Sequence, residues 1–334
     1  MKILVINIKY LGDLIVSTPA LRSLRKTYPS AEIVLLIRKG FETFFENNPN
    51  INRTILFDPG MKGNSGLMNF LKGIKFINNI RKEKFDTAIV LHPGDRTAFW
   101  AWFSGAKARI APRNQSFSFL FNNKVDVEEN TIDYIHYYNK IISAYNVVID
   151  SDRTEIFLSE ADAGWTDLFF DENNIDRKDF VIGIHPGASE PSKIWKKENF
   201  ILLIDRLVQK AGLKLIIMEG PKEKEICASI RTSFKLNSKI SFTDAGINRT
   251  AALIKKCNLF ITHDTGTRHL AVAAGTPALI LMPDDNEKYW DFYTDGHKHF
   301  TLIGRRNLSE GHPFLDGITV EDVYRKIGSI LNQW

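Results

Sequence analysis

The apolar positions of this chain gather in short, β-branched runs that are almost unbroken, with helix-like stretches between them. Four such runs come early: Ile3 to Ile8, Ile33 to Ile37, Thr54 to Phe57 and Thr87 to Leu91. A strand with one wet face alternates apolar and polar residues, whereas unbroken runs of this length predict parallel strands buried on both faces. A second series repeats the pattern: Phe180 to Ile184, Leu213 to Met218, Lys239 to Phe242, Asn258 to Thr262 and Pro277 to Leu281. The economical reading is an α/β protein with two doubly wound sheets. Ser17, Thr18 and Pro19 predict a helix first turn, and Leu21 and Leu24 continue its apolar face.

The polar stretch from Asp171 to Asp179 is read as separating the halves. The domains are therefore set at 1–160 and 161–334, with the last helix free to pack back on the first domain. Gly60-Met61-Lys62-Gly63-Asn64-Ser65-Gly66 is glycine-rich and predicts a mobile loop.

A length of 334 residues exceeds what one core usually organises, which agrees with two domains. Hydrophobic residues at 44% and charged residues at 25% are ordinary for a globular chain and exclude disorder. Lys9 and Asp13 cut short the apolar start and no small-residue cleavage site follows, so this run is not expected to be a signal peptide. No apolar stretch nears the length of a membrane span, and the expected location is the cytoplasm. Cys227 and Cys257 are too few for a disulfide framework and lack metal-ligand spacing; both read as buried thiols. The net charge of +5 favours anionic partners. The densest basic run, Lys72, Lys75, Arg81, Lys82 and Lys84, reads as a solvated helix face.

In open α/β sheets ligands bind beyond the carboxyl ends of the strands, so the segments after each run carry the chemistry. The first is Lys9-Tyr10-Leu11-Gly12-Asp13, where Gly12 permits a tight turn. Asp13 is then either a helix cap or a base facing a cleft. The second is His185-Pro186-Gly187-Ala188-Ser189-Glu190-Pro191-Ser192-Lys193-Ile194-Trp195. Its small residues admit a ligand to the backbone, and Ser189, Ser192 and Lys193 offer donors suited to a diphosphate. It lacks Walker spacing, so it is not a P-loop. The third is His263-Asp264-Thr265-Gly266-Thr267-Arg268-His269, feeding an Ala-rich helix and Gly275-Thr276-Pro277. Its unpaired N–H groups and positive dipole end suit a phosphate. Asp264 either accepts from sugar hydroxyls or caps the helix, and His269 either meets the ligand or packs.

Together and in this order, the three segments resemble glycosyltransferase family 9, the ADP-heptose:lipopolysaccharide heptosyltransferases. The resemblance runs from Met1 nearly to Trp334. It rests on Ile3-Leu4-Val5-Ile6 with Leu11-Gly12-Asp13 and Thr18-Pro19-Ala20-Leu21; on His185-Pro186-Gly187-Ala188 with Lys193 and Trp195; and on Asp264-Thr265-Gly266 with His269-Leu270-Ala271 and Gly275-Thr276-Pro277. It implies a GT-B fold, two Rossmann-like domains facing a central cleft, with acceptor bound mainly by the first and nucleotide-sugar mainly by the second. By that likeness Asp13 is the general base, with Gly12 and Lys62 on the acceptor side. Lys193 and Ser189, beside Gly187 and Ala188, meet the donor phosphates. Asp264 holds the heptose, and Thr265, Gly266 and His269 lie near the diphosphate. The acidic ribose contact falls among Glu219, Glu223 and Glu225. Thr267-Arg268 and Met282-Pro283-Asp284-Asp285-Asn286 depart from the family's usual pattern, which bears on sugar and base more than on fold.

The implied chemistry is inverting transfer of heptose from ADP-heptose to the lipopolysaccharide inner core, with no essential metal or cofactor. The expected partners are the nucleotide-sugar, the lipid-linked glycan acceptor and the cytoplasmic face of the inner membrane, and no nucleic acid. Residues 60–66 and the basic run after them are the expected membrane contact. The only Asp-x-Asp, Asp150-Ser151-Asp152, reads as a turn and not a metal site. Among rivals, a dehydrogenase needs G-x-G-x-x-G after its first strand, which neither Gly12 nor Gly187 supplies. A transferase with another donor or acceptor, or a nucleotide-sugar-binding protein without activity, stays open.

Overall fold

The structure, a computed structural model, describes residues 1–62, 67–127, 133–235, 237–283, 299–304, 315 and 317–331. The chain divides into two compact units between Phe157 and Leu158.

In the first unit the order is β1 (Lys2–Ile6), α1 (Leu11–Val16), α2 (Thr18–Thr27), β2 (Glu32–Arg38), α3 (Glu42–Phe45), β3 (Arg53–Phe57), α4 (Leu67–Lys82), β4 (Thr87–Val90), α5 (Asp95–Phe103), β5 (Ala108–Pro112), β6 (Asn123–Val125) and α6 (Tyr134–Ser143). The strands are all parallel, in the spatial order β3-β2-β1-β4-β5-β6. Leu4, Ile6, Val34, Leu36, Ala88 and Val90 pack towards α4 and α5. Ile3, Val5, Ile33, Leu35 and Ile89 alternate with them on the other face and are equally buried. Burial of both faces is why these strands read as unbroken apolar runs.

The second unit continues with α7 (Glu160–Glu172), β7 (Phe180–Ile184), α8 (Lys197–Val208), β8 (Leu213–Met218), α9 (Lys224–Ser233), β9 (Ile240–Thr243), α10 (Ile247–Lys256), β10 (Leu259–His263), α11 (Gly266–Ala274), β11 (Ala278–Pro283), β12 (His299–Gly304) and α12 (Val320–Leu331). Its parallel sheet runs β12-β11-β10-β7-β8-β9, the first unit's order read from the other edge. Each half therefore has one place where adjacent strands send their connections in opposite directions: β1 beside β4, and β7 beside β10. The last helix gives Val323 and Ile327 to the second unit's core and packs on α8.

One local reading changes. The stretch from Asp171 to Asp179 is no separator; it lies inside the second unit, between α7 and β7. The informative signal was Ser159 with Asp162, a capping box that starts α7 just after the division. Ser17, Thr18 and Pro19 do open α2, with Ser17 at the N-cap position, while the Ser17 and Thr18 hydroxyls donate to the carbonyls of Leu14 and Ile15 and so close α1. Of the glycine-rich loop, Pro59–Lys62 forms one 3-10 turn, while 63–66 and the Lys62 side chain lie outside the described residues. Cys227 and Cys257 are free and buried, and burial pushes both thiols up to about 12.

Candidate active site

In the second unit, the segments after β7 and β10 meet through one histidine. His263 ends β10 fully buried, its Nδ1 2.9 Å from the Gly187 carbonyl and its Nε2 2.9 Å from the Trp195 backbone nitrogen. A carbonyl requires a donor and an N–H requires an acceptor, so the proton sits on Nδ1. Burial holds the imidazole at a pKa of about 4, neutral as this pairing demands. His263 thus pins both ends of the Gly187–Trp195 loop, which carries Ser189 and Lys193. Trp195 is itself fixed, its indole nitrogen donating to the Ile318 carbonyl at 2.8 Å and its ring edge-on to Phe200. Between these anchors Ser189 is exposed and Lys193 makes no ion pair with any described residue. His185, lowered to about 4 by burial and by neighbouring His263, completes the neutral pair.

Across the strand pair, α11 begins at Gly266 with Thr265 as N-cap, and Gly275 ends it at φ 72°, a left-handed position that suits glycine. The Thr267 hydroxyl lies 2.8 Å from those of both Thr262 and Thr265, which fixes the turn. The first N–H groups of α11 are thereby presented beyond the end of β10. Asp264 is not the N-cap. Its carboxylate meets the Arg268 guanidinium at 3.1 Å, in a pair whose side chains are 6% and 1% exposed. His269 is buried too, and burial beside the Arg268 charge drives its pKa well below the usual value. Arg268, a departure from the family pattern, therefore holds Asp264 and disfavours a charge on His269.

The three acidic residues after β8 separate. Glu219 pairs with Arg231 at 3.3 Å, and Glu225 lies exposed in the first turn of α9. Glu223 alone reaches the Gly187 segment. A Cβ on Gly187 would fall 2.0 Å from Glu223 Oε1, and one on Gly220 would fall 2.4 Å from Oε2. The carboxylate occupies the space of two missing side chains, and burial raises its pKa against hydrogen bonds from the backbone of Lys222, Glu223 and Gly220.

In the first unit, Asp13 stands in the first turn of α1, 7% exposed. The N-cap is Tyr10. Burial raises the Asp13 pKa; Lys9, whose Nζ is 3.6 Å from Oδ1, opposes this, as do a backbone hydrogen bond at Tyr10 and the Tyr138 hydroxyl donating at 3.4 Å. The backbone bond is half of a capping box and the rest is the environment of a base, so the two sequence readings of Asp13 are compatible. Gly12 precedes it, buried. Tyr138 is on α6, and no local pattern marks it. His92-Pro93-Gly94 was also missed: it follows β4, with the N–H groups of Leu91 and His92 on the Ile6 carbonyl, across the strand pair from Lys9–Asp13. The signal was available, since it repeats His185-Pro186-Gly187. Asp150 is taken by Arg22 at 3.0 Å and Lys26 at 2.6 Å, and Asp152 by Asn139 at 2.7 Å, which ties residues 150–152 to α2 and α6.

Two sheets of one Rossmann order, one with a loop and helix end suited to a diphosphate and the other with a buried carboxylate beyond β1, make this a GT-B fold. The model of glycosyltransferase family 9 (heptosyltransferase) matches residues 74–312, and the chain belongs to that family, an enzyme family of glycosyltransferases. The chain is 24% identical over 333 residues to lipopolysaccharide heptosyltransferase 3 of Escherichia coli (strain K12), with 94% of each covered. Among solved structures, the glycosyl transferase family 9 protein of Veillonella parvula superposes with a TM-score of 0.85 at 24% identity, covering 100% of this chain and 97% of that one. The E. coli heptosyltransferase WaaC with ADP-2-deoxy-2-fluoro heptose does so with 0.76 at 14% identity, covering 98% and 99%.

Proposed function

We propose that this glycosyltransferase transfers heptose from ADP-heptose to a lipid-linked glycan of the lipopolysaccharide inner core, with inversion. The observation that carries the reading is the pinned loop of the second unit, which holds Ser189 and a Lys193 with no ion-pair partner among the described residues, its two ends fixed by the histidine of β10, the strand that leads into α11. The relatives' names supply the sugar: the two Escherichia coli proteins compared are named heptosyltransferases, one solved with ADP-2-deoxy-2-fluoro heptose.

In this mechanism Asp13 accepts the proton of the acceptor hydroxyl as its oxygen attacks the anomeric carbon, and the bond to the diphosphate breaks on the opposite face. The leaving diphosphate gathers charge, so Lys193 and the α11 N-terminus stabilise the transition state more than the ground state. Asp264, held by Arg268, receives sugar hydroxyls, and Glu223 is the choice for the ribose because it alone of the three acids touches Gly187. No essential metal enters. Among the described residues no group of three or more His, Cys, Asp or Glu is placed to hold one. Among them, too, no helix is long and apolar enough to cross a membrane. Work on the cytoplasmic face of the inner membrane fits an acceptor anchored in lipid.

The test is a panel of nucleotide-sugars with nucleoside diphosphate release as readout, run with and without EDTA. ADP-heptose is the preferred donor, and release persists in chelator. Preference for a UDP-sugar removes the donor assignment, and complete loss in EDTA reversed by magnesium removes the metal-free mechanism.

A further inference from the structure

The outward stripe of α5 is aromatic where a surface helix is ordinarily polar. Asp95 and Arg96 open it, and Phe99, Trp102 and Phe103 follow at helical spacing, with Phe99 36% and Trp102 45% exposed. The segment after β5 adds Phe117 and Phe119, the latter 75% exposed. The rings form a patch: Phe99 and Phe117 have centroids 4.7 Å apart, Phe117 and Phe119 6.1 Å, and Trp102 and Phe103 4.7 Å. The inner face of α5 is anchored separately, by Trp100 against Phe57 and Phe76. The outer rings are therefore not what holds the helix to the sheet. Phe117 also keeps φ at 56°, a left-handed conformation that strains a residue with a side chain. Contiguous apolar surface of this kind marks an interaction site.

The charge around the patch indicates what covers it. Residues 71–124 contain ten Lys and Arg against three Asp and Glu. Two of those acids face elsewhere: Glu83 is paired with Lys2 and Arg53, and Asp86 accepts from the Lys2 backbone. Of the bases, Arg81 donates to the Phe103 carbonyl at the end of α5, and Arg109 to the Leu120 carbonyl next to Phe119. On α4, which packs beside α5, Lys72 and Lys75 are exposed together with Leu71 and Ile74. A second copy of the chain meeting this face about a two-fold axis would set a basic rim against itself. An anionic bilayer supplies phosphates for the rim and a headgroup layer in which Trp and Phe rings settle.

We propose that the α4–α5 face of the first unit, with residues 117–119, docks on an anionic lipid bilayer. This deepens the function proposed above and rests on its lipid-linked acceptor, and it adds to the basic run an aromatic contact other than residues 60–66. The experiment is co-sedimentation of the full chain with phosphatidylcholine vesicles, with and without phosphatidylglycerol, at low and high salt. The wild-type protein binds the anionic vesicles, and salt weakens the binding because exposed charges are screened beyond about 10 Å at 0.1 M. Phe119→Ser combined with Trp102→Ser lowers the apparent affinity by about tenfold or more, since each ring loses its burial in the headgroup layer. Lys72→Ser with Lys75→Ser weakens binding to anionic vesicles only. Melting temperature and ADP affinity stay at wild-type values in both variants. Phe119→Ser alone, at the most exposed ring, repeats the test where folding is least at risk. Unchanged vesicle binding in the aromatic variants overturns the proposal, as does sedimentation velocity showing a wild-type dimer that these substitutions dissociate. Vesicle binding with no ADP release from ADP-heptose leaves the docking face standing and removes the transfer reaction instead.

Discussion

Asp13 shows how far a single residue can be read from sequence. The strand, Gly12 and the following helix place a carboxylate beyond β1, but what suits it to the proposed role of base is its burial and the contact with the Tyr138 hydroxyl, 125 residues away. Nothing local encodes that contact. Its sign is testable. Burial raises the Asp13 pKa while Lys9 and Tyr138 oppose it, and the net direction is upward, so the acid limb of turnover is shifted to higher pH than an ordinary aspartate would give. Tyr138→Phe removes one lowering contact and moves that limb to higher pH. Asp13→Asn keeps the shape but loses the basic electron pair, and turnover falls by about 10²–10⁴-fold. A carboxyl whose pKa is higher in the fold than in the unfolded chain stabilises the fold at low pH and detracts from it once ionised. The Asn variant therefore melts at or above the wild-type temperature at neutral pH. Near-wild-type turnover in that folded variant would falsify the catalytic assignment.

At the scale of elements, runs such as Phe180–Ile184 and Leu213–Met218 were legible to the residue, because a strand buried on both faces leaves almost no polar interruption, Lys214 near the start of β8 being the exception. The strands β5, β6 and β12 were not. Ala108–Pro112 carries Arg109 and Pro112, Asn123–Val125 has three residues, and His299–Gly304 is only half-buried, so none shows the apolar run of a central strand. The loops proposed to bind the donor were legible as small-residue segments, but not the packing that requires them to be small. Gly187 is glycine because Glu223 occupies the place of its side chain. Gly187→Ala forces that carboxylate out and weakens ADP binding, stability or both by about 1–3 kcal/mol. In a Glu223→Ala background the same change is better tolerated, with a coupling of about 1 kcal/mol or more between the two sites. Calorimetry and thermal melts on the four proteins of the cycle check this, and strictly additive losses would mean that the two positions do not share the space.

Over the whole molecule, the two halves share one strand order, and in each the chemistry gathers where that order reverses: Lys9–Asp13 with His92 in the first, and the loop held by His263 with α11 in the second. A repeated topology explains why His-Pro-Gly recurs after β4 and after β7, and why the doubled pattern of apolar runs was visible without any structure. The two units nonetheless differ in what they offer a ligand. The second unit presents an ammonium with no ion-pair partner among the described residues, a helix N-terminus and hydroxyls, all suited to phosphate, whereas the first presents a buried carboxylate, which an ADP diphosphate would repel. Amide hydrogen exchange on the intact protein separates these roles. Saturating ADP stabilises the state that binds it, by about 2.7 kcal/mol at a hundred times its Kd, and slows exchange in peptides covering Gly187–Trp195 and the start of α11. Exchange in the peptide carrying Asp13 stays at its unliganded rate. Slowing there, with the second-unit peptides unchanged, would place the nucleotide on the wrong half of the chain and remove Lys193 from the donor site.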